Sequence, residues 1–124
     1  MLLSHKQILT STFLLLSLDF LYISMVKKTF ENQLLQIQKT PMQVRYGSLI
    51  ACYVFLLFGF WFFILKNHCS VMDAFLLGLV IYGIYETTNY ATIKNWSIYF
   101  VLGDTLWGGI LFALTTFLTY QINS

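Results

Sequence analysis

Residues 73–96 read DAFLLGLVIYGIYETTNYATIKNW. From Ala74 to Tyr85 the run holds no charge and shows none of the polar–apolar alternation of a half-buried strand. Glu86, Thr87, Thr88 and Asn89 then follow in consecutive positions. About 20 apolar residues cross about 30 Å of hydrocarbon as an α-helix. The stretch therefore predicts a membrane span that turns polar before it ends.

The rest of the chain agrees. Its 124 residues are 58% hydrophobic and 10% charged, with mean hydropathy +0.72. Soluble domains carry about 25% charged residues, so this chain cannot cover a water-facing surface. One membrane domain, residues 1–124, is expected, with the lipid bilayer as its partner. A formal charge of +2 is too small and too dispersed for nucleic acid. Cys52 and Cys69 have neither metal spacing nor a disulfide framework.

Four apolar segments, about 8–26, 42–65, 71–90 and 98–119, reach spanning length. Lipid offers the backbone no hydrogen bonds, so helices are the expected spanning form. The fold class is all-α, an integral membrane four-helix bundle. Thr40-Pro41-Met42-Gln43 is a capping-box pattern with proline at the first helical position. Ser70 with Asp73 opens the third span, and Asn95 or Ser97 the fourth. The first span is too long for a cleavable signal and contains Asp19.

Phe30, Leu34 and Ile37 recur at helical spacing among Lys and Gln. They fit a short amphipathic interfacial helix at about 29–38, or else an ordinary polar loop. Lys27, Lys28, Lys39, Arg45 and Lys94 flank the loops after spans one and three, against Lys6 and Lys66 opposite. The positive-inside rule puts those loops in the cytoplasm and both termini on the other side. Gly47/Ala51, Ala74/Gly78 and Gly109/Ala113 offer notches for close helix approach. Trp61, Trp96, Tyr46, Tyr90, Tyr99 and Tyr120 are expected in the aromatic belts at the membrane edges.

Asp19, Glu86 and Asp104 lie inside spans, with no cation at their depth. An acid at a helix centre costs about 2.5–3.5 kcal/mol on insertion scales, and less toward the ends. At about 1.5 Å rise per residue, all three fall in the half of the bilayer beneath the basic loops. Facing lipid is too costly, so they are expected to converge inside the bundle. Asn89 is their expected neutral partner. Tyr82 shares a helix face with Glu86 and Asn89, Tyr22 with Asp19, and Trp107 and Gly108 with Asp104. Thr87 and Thr88 can bond back to their own helix.

Three groups of residues carry a resemblance. The first is Leu18-Asp19-Phe20-Leu21-Tyr22, and the second is Tyr85, Thr88, Asn89, Ala91, Thr92 and Trp96. The third is Asp104, Trp107 and Gly108. They resemble the bacterial membrane family called domain of unknown function 2177, whose third span ends in a pattern like Y-D-x-T-N-x-A-T-x-x-x-W. Glu86 stands where that family usually has aspartate, so the charge reaches one methylene further. The resemblance implies a four-helix membrane protein and adds weight to these positions. It implies no activity.

Three functions fit a shared polar site. The acids can bind or relay a cation or proton, as intramembrane carboxylates commonly do. With Asn89, an oxygen-only set at Asp19, Glu86 and Asp104 suits Mg, Ca or Mn. Four short helices make a thin pore wall, so transport calls for a homo-oligomer. Alternatively, the acids serve a lipid- or isoprenoid-modifying enzyme, or a lipid-binding protein, as general acid and base or as metal ligands at a head group. His5 and His68 lie at the opposite face, and no nucleophile with a base appears. The third reading is an accessory subunit of a membrane complex. Against all three stands a structural role. In it, neutral acids bond to Asn89, Tyr22, Tyr82 or backbone, or Lys94, Lys27 or Arg45 reaches down to them.

Overall fold

The computed structural model describes residues 5–38 and 45–123. Four helices follow one another: α1 His5–Gln38, α2 Tyr46–Phe60, α3 Val71–Thr92 and α4 Ile98–Ile122. A π-helical turn, Trp61–Leu65, carries α2 onward without a break. All four are long and apolar enough to cross a membrane. The Thr40–Gln43 capping pattern and Lys39 lie outside the described residues.

Two starts follow their local chemistry. Ser70 Oγ accepts from the Asp73 N–H at 3.1 Å, and Ser97 Oγ from the Tyr99 N–H at 3.2 Å. Each side chain satisfies one of the donors a helix leaves free at its first turn. Asn95 is not the cap. It takes the left-handed conformation, φ 66°, that turns the chain between α3 and α4.

Residues 29–38 correct an expectation. They form neither a separate interfacial helix nor a loop, but continue α1 without interruption. No glycine or proline breaks the sequence there, and Lys27 pairs with Glu31 one turn on, at 3.9 Å. The bundle itself also holds this extension. Phe30 meets the rings of Trp96 and Phe100 edge-on at 5.6 and 5.8 Å. Gln33 Nε2 donates to the Asn95 carbonyl at 2.7 Å, while its Oε1 accepts from the Ser97 N–H. The end of α1 is thus stapled over the α3–α4 turn.

The closest helix pair is α3 with α4. A Cβ placed on Gly78 would sit 2.1 Å from the Gly108 carbonyl oxygen, and one on Gly109 would meet the Phe75 ring at 2.8 Å. Ala74 is fully buried beside them. These small residues let two backbones approach as packing in lipid requires. The Gly47/Ala51 notch is different. A Cβ on Gly47 meets nothing within 4 Å and Ala51 is exposed, so that pair marks no close helix approach among the described residues.

In the apolar core Leu15, Leu57, Phe60, Ile64, Leu111 and Phe112 pack together. Phe60 and Phe112 meet edge to face at 5.3 Å. Large apolar side chains such as Phe13, Phe20, Phe55 and Leu102 point outward, as a bilayer-facing surface should. At the turn between α2 and α3, Tyr120 Oη donates to the Cys69 carbonyl at 2.7 Å and its ring stacks on His68. Tyr120 therefore ties two helix ends together rather than serving only a belt.

Candidate functional site: a layer of buried acids

On the loop side of the apolar core lies a polar layer built on all four helices. Asp19 is 4% exposed and Glu86 fully buried, while Asp104 is half-buried. Asp19 has a donor for each oxygen. Tyr53 Oη donates to Oδ2 and Trp107 Nε1 to Oδ1, the latter at 3.0 Å. Asp104 accepts a short hydrogen bond from Tyr22 Oη. The Tyr22 and Trp107 rings stack on each other, so the two acids are joined through two aromatic side chains.

Glu86 completes the layer from α3. Its Oε1 accepts from Trp96 Nε1 at 3.1 Å. Asp104 and Asn89 are near enough to act on its carboxyl. Its Oε2 has no donor among the described residues. Tyr82 packs its ring on Gly108, where a Cβ would meet it at 2.4 Å. That glycine keeps the tyrosine at the level of the acids.

Not every expected residue takes part. Thr88 is exposed, and its carbonyl accepts from Thr92. Thr87 bonds back to the Gly83 carbonyl at 2.6 Å. Among the described residues, no Lys or Arg pairs with Asp19, Glu86 or Asp104, and Lys27 is engaged with Glu31 instead. The three acids also do not gather as a metal-holding group among the described residues. Each acid instead keeps its own donors: Tyr53 and Trp107 for Asp19, Tyr22 for Asp104 and Trp96 for Glu86.

Sequence alone does not single out Tyr53, and it places Trp96 in the aromatic belts. With Trp61 and Cys52, Tyr53 is one of the few side chains with a polar hydrogen between Ser48 and Lys66, and that scarcity was its signal. Tyr53 on α2 and Trp61 at the start of its π-helical continuation stand eight apart and serve Asp19 and Ser11, eight apart on α1. Trp96 is not a belt residue. It is 5% exposed and packed between Phe30 and Glu86.

An apolar groove of about 510 Å³ opens between α3 and α4, lined by residues that include Leu79, Gly83, Thr87, Leu102 and Thr105. None of the three acids lines it.

The model of the family described as "Predicted membrane protein (DUF2177)" matches residues 4–121. The chain belongs to this family. It is an integral, multi-pass membrane protein, as the family's description and its four spanning helices both say. No curated protein and no solved structure matches the chain. Membership in the 2177 family brings a membrane setting for the acid layer and no assigned chemistry.

Proposed function

We propose that the acid layer binds and relays a proton, or a small cation in its place, within the membrane. The Glu86–Asp104 pair supports this reading. These two carboxyls are near enough to act on each other, one has an oxygen without a donor among the described residues, and no basic side chain among the described residues neutralises them. Neighbouring carboxylates away from water repel, which disfavours ionising both without a counter-charge. A shared proton or a bound cation resolves the repulsion, and either can be exchanged. Intramembrane acids of this kind mark proton and ion paths.

The other residues take supporting parts in this reading. Asp19, served by Tyr53 and Trp107, holds α1, α2 and α4 in register, and Asn89 offers the pair a neutral amide. In this reading the basic loops face the cytoplasm, the acid layer lies in that half of the bilayer, and both termini are on the far side. A complete path across the membrane calls for a homo-oligomer, because four helices enclose little space.

Reconstitution into liposomes that enclose a pH-sensitive dye tests the reading. An imposed gradient should collapse faster with the unmodified protein than in empty liposomes. That gain should vanish in Glu86→Gln and in Asp104→Asn. Equal collapse rates for all three proteins, with or without added cations, would overturn it.

A further inference from the structure

The loop end of α1 outruns the membrane. Its 34 residues rise about 50 Å as an α-helix, against about 30 Å of hydrocarbon. Lys27, Lys28 and Thr29 are exposed there, and Glu31 answers Lys27. Outside the bilayer, a single helix relies on tertiary contacts to keep its place.

Two side chains of the extension supply such contacts, and both meet the α3–α4 turn. Phe30 stands edge-on to Trp96 and to Phe100. Gln33 uses both ends of its amide, donating to the Asn95 carbonyl and accepting from the Ser97 N–H. Asn95 and Ser97 are the chain neighbours of Trp96. The extension therefore grips the turn at Trp96 itself.

Trp96 carries that hold inward. Its indole lies between Phe30 and Glu86, and its Nε1 donates to Glu86 Oε1 at 3.1 Å. Glu86 precedes Thr92, the last residue of α3, by less than two turns. Lys94 and Asn95 are exposed in the same turn, while Trp96 is nearly buried and Glu86 fully so. The indole thus stands between a sealed carboxyl and the exposed turn on the loop side. Exchange of a proton or cation with water on that side needs the indole to move.

We infer that the end of α1 is a strap that gates Glu86 from the loop side. Docked through Phe30 and Gln33, it keeps Trp96 seated on the acid. Released, it frees the turn, and the indole leaves Glu86 open to water. The use of such a gate rests on the acid-layer reading, whereas the covering of Glu86 by the strap does not depend on transport.

Carbodiimide labelling in permeabilised membranes tests the strap apart from any flux. A water-soluble carbodiimide with an amine nucleophile turns accessible carboxyls into amides, and mass spectrometry assigns each site. Glu86 should label slowly in the unmodified protein. Gln33→Ala and Phe30→Ala should each speed its labelling several-fold, with Asp19 still protected as the sign of an intact bundle. A converse variant carries Gln33→Cys and Lys94→Cys in a Cys52→Ser, Cys69→Ser background, bridged by a short reducible bis-thiosulfonate. The bridge should slow labelling of Glu86, and reduction should restore it. Labelling of Glu86 that neither the two substitutions nor the bridge alters would overturn the strap. Liposomes separate the two readings. Gln33→Ala should collapse an imposed pH gradient faster than the unmodified protein, and adding Glu86→Gln should cancel that gain. Labelling that responds as expected, with no flux in any variant, would overturn the relay and uphold the strap.

Discussion

Tyr22 and Trp107 stack with ring centroids 4.7 Å apart and planes 6° from parallel, and each gives its polar hydrogen to a different acid. Tyr22 donates to Asp104, and Trp107 donates to Asp19. One face-to-face contact between α1 and α4 therefore orients two carboxyls at once. Removing a hydrogen here should be felt differently from removing a ring.

Trp107→Phe keeps a ring for Tyr22 to stack on and takes one of the two donors from Asp19. Leaving a buried acceptor short of a partner costs about 1–3 kcal/mol. Stability should fall by that order in reversible unfolding from mild detergent. Combining the change with Asp19→Asn should cost less than the sum of the two, because both remove one interaction. Fully additive losses would mean that the Trp107–Asp19 bond contributes nothing.

Gly78→Ala should loosen the α3–α4 pair, since the added methyl would fall on the Gly108 carbonyl. Forcing atoms into a packed contact costs about 1–3 kcal/mol. Gly47→Ala is the control, because its Cβ would meet open space. There the better helix former should leave stability unchanged or raise it by up to about 1 kcal/mol. Thermal unfolding of the two variants side by side checks both signs.

Gln33→Ala removes both bonds from the α1 extension to the Asn95–Ser97 turn. The α3–α4 turn should then exchange its amide hydrogens faster while the apolar core keeps its protection. Trp96→Phe should also strip Glu86 Oε1 of its donor without removing the ring packed on Phe30. Faster exchange confined to residues 93–98 in the first variant, read by mass spectrometry, is the expected result.

Much of this was legible in the sequence, for reasons that differ by residue. Span lengths and the Ser70 and Ser97 caps were readable because lipid leaves the backbone few options and caps are local. The positions of Asp19, Glu86 and Asp104 were readable because acids so deep must face inward. Their division into a pair and a separately held acid was not readable. It depends on which helix supplies Tyr53 and how Tyr22 meets Trp107, both long-range matters of helix rotation. The α1 extension was misjudged for a similar reason. Its amphipathic spacing suits a membrane surface as well as it suits the protein partner, formed by Trp96, Phe100 and the α3–α4 turn, that it meets. The small-residue notches split the same way. Ala74/Gly78 and Gly109 found a partner helix, and Gly47/Ala51 found none among the described residues.

The central claim is that Glu86 and Asp104 together hold one proton, or a cation in its place. Infrared spectroscopy of the protein in bilayers tests this most directly, because protonated and ionised carboxyls absorb separately. After cations are washed out at neutral pH, a protonated-carboxyl band should be present. It should disappear in both Glu86→Gln and Asp104→Asn, and persist in Asp19→Asn. Restoring a bound cation should diminish the band if that cation replaces the proton. A spectrum with every carboxyl ionised in cation-free membranes, unchanged by either substitution at the pair, would contradict the account.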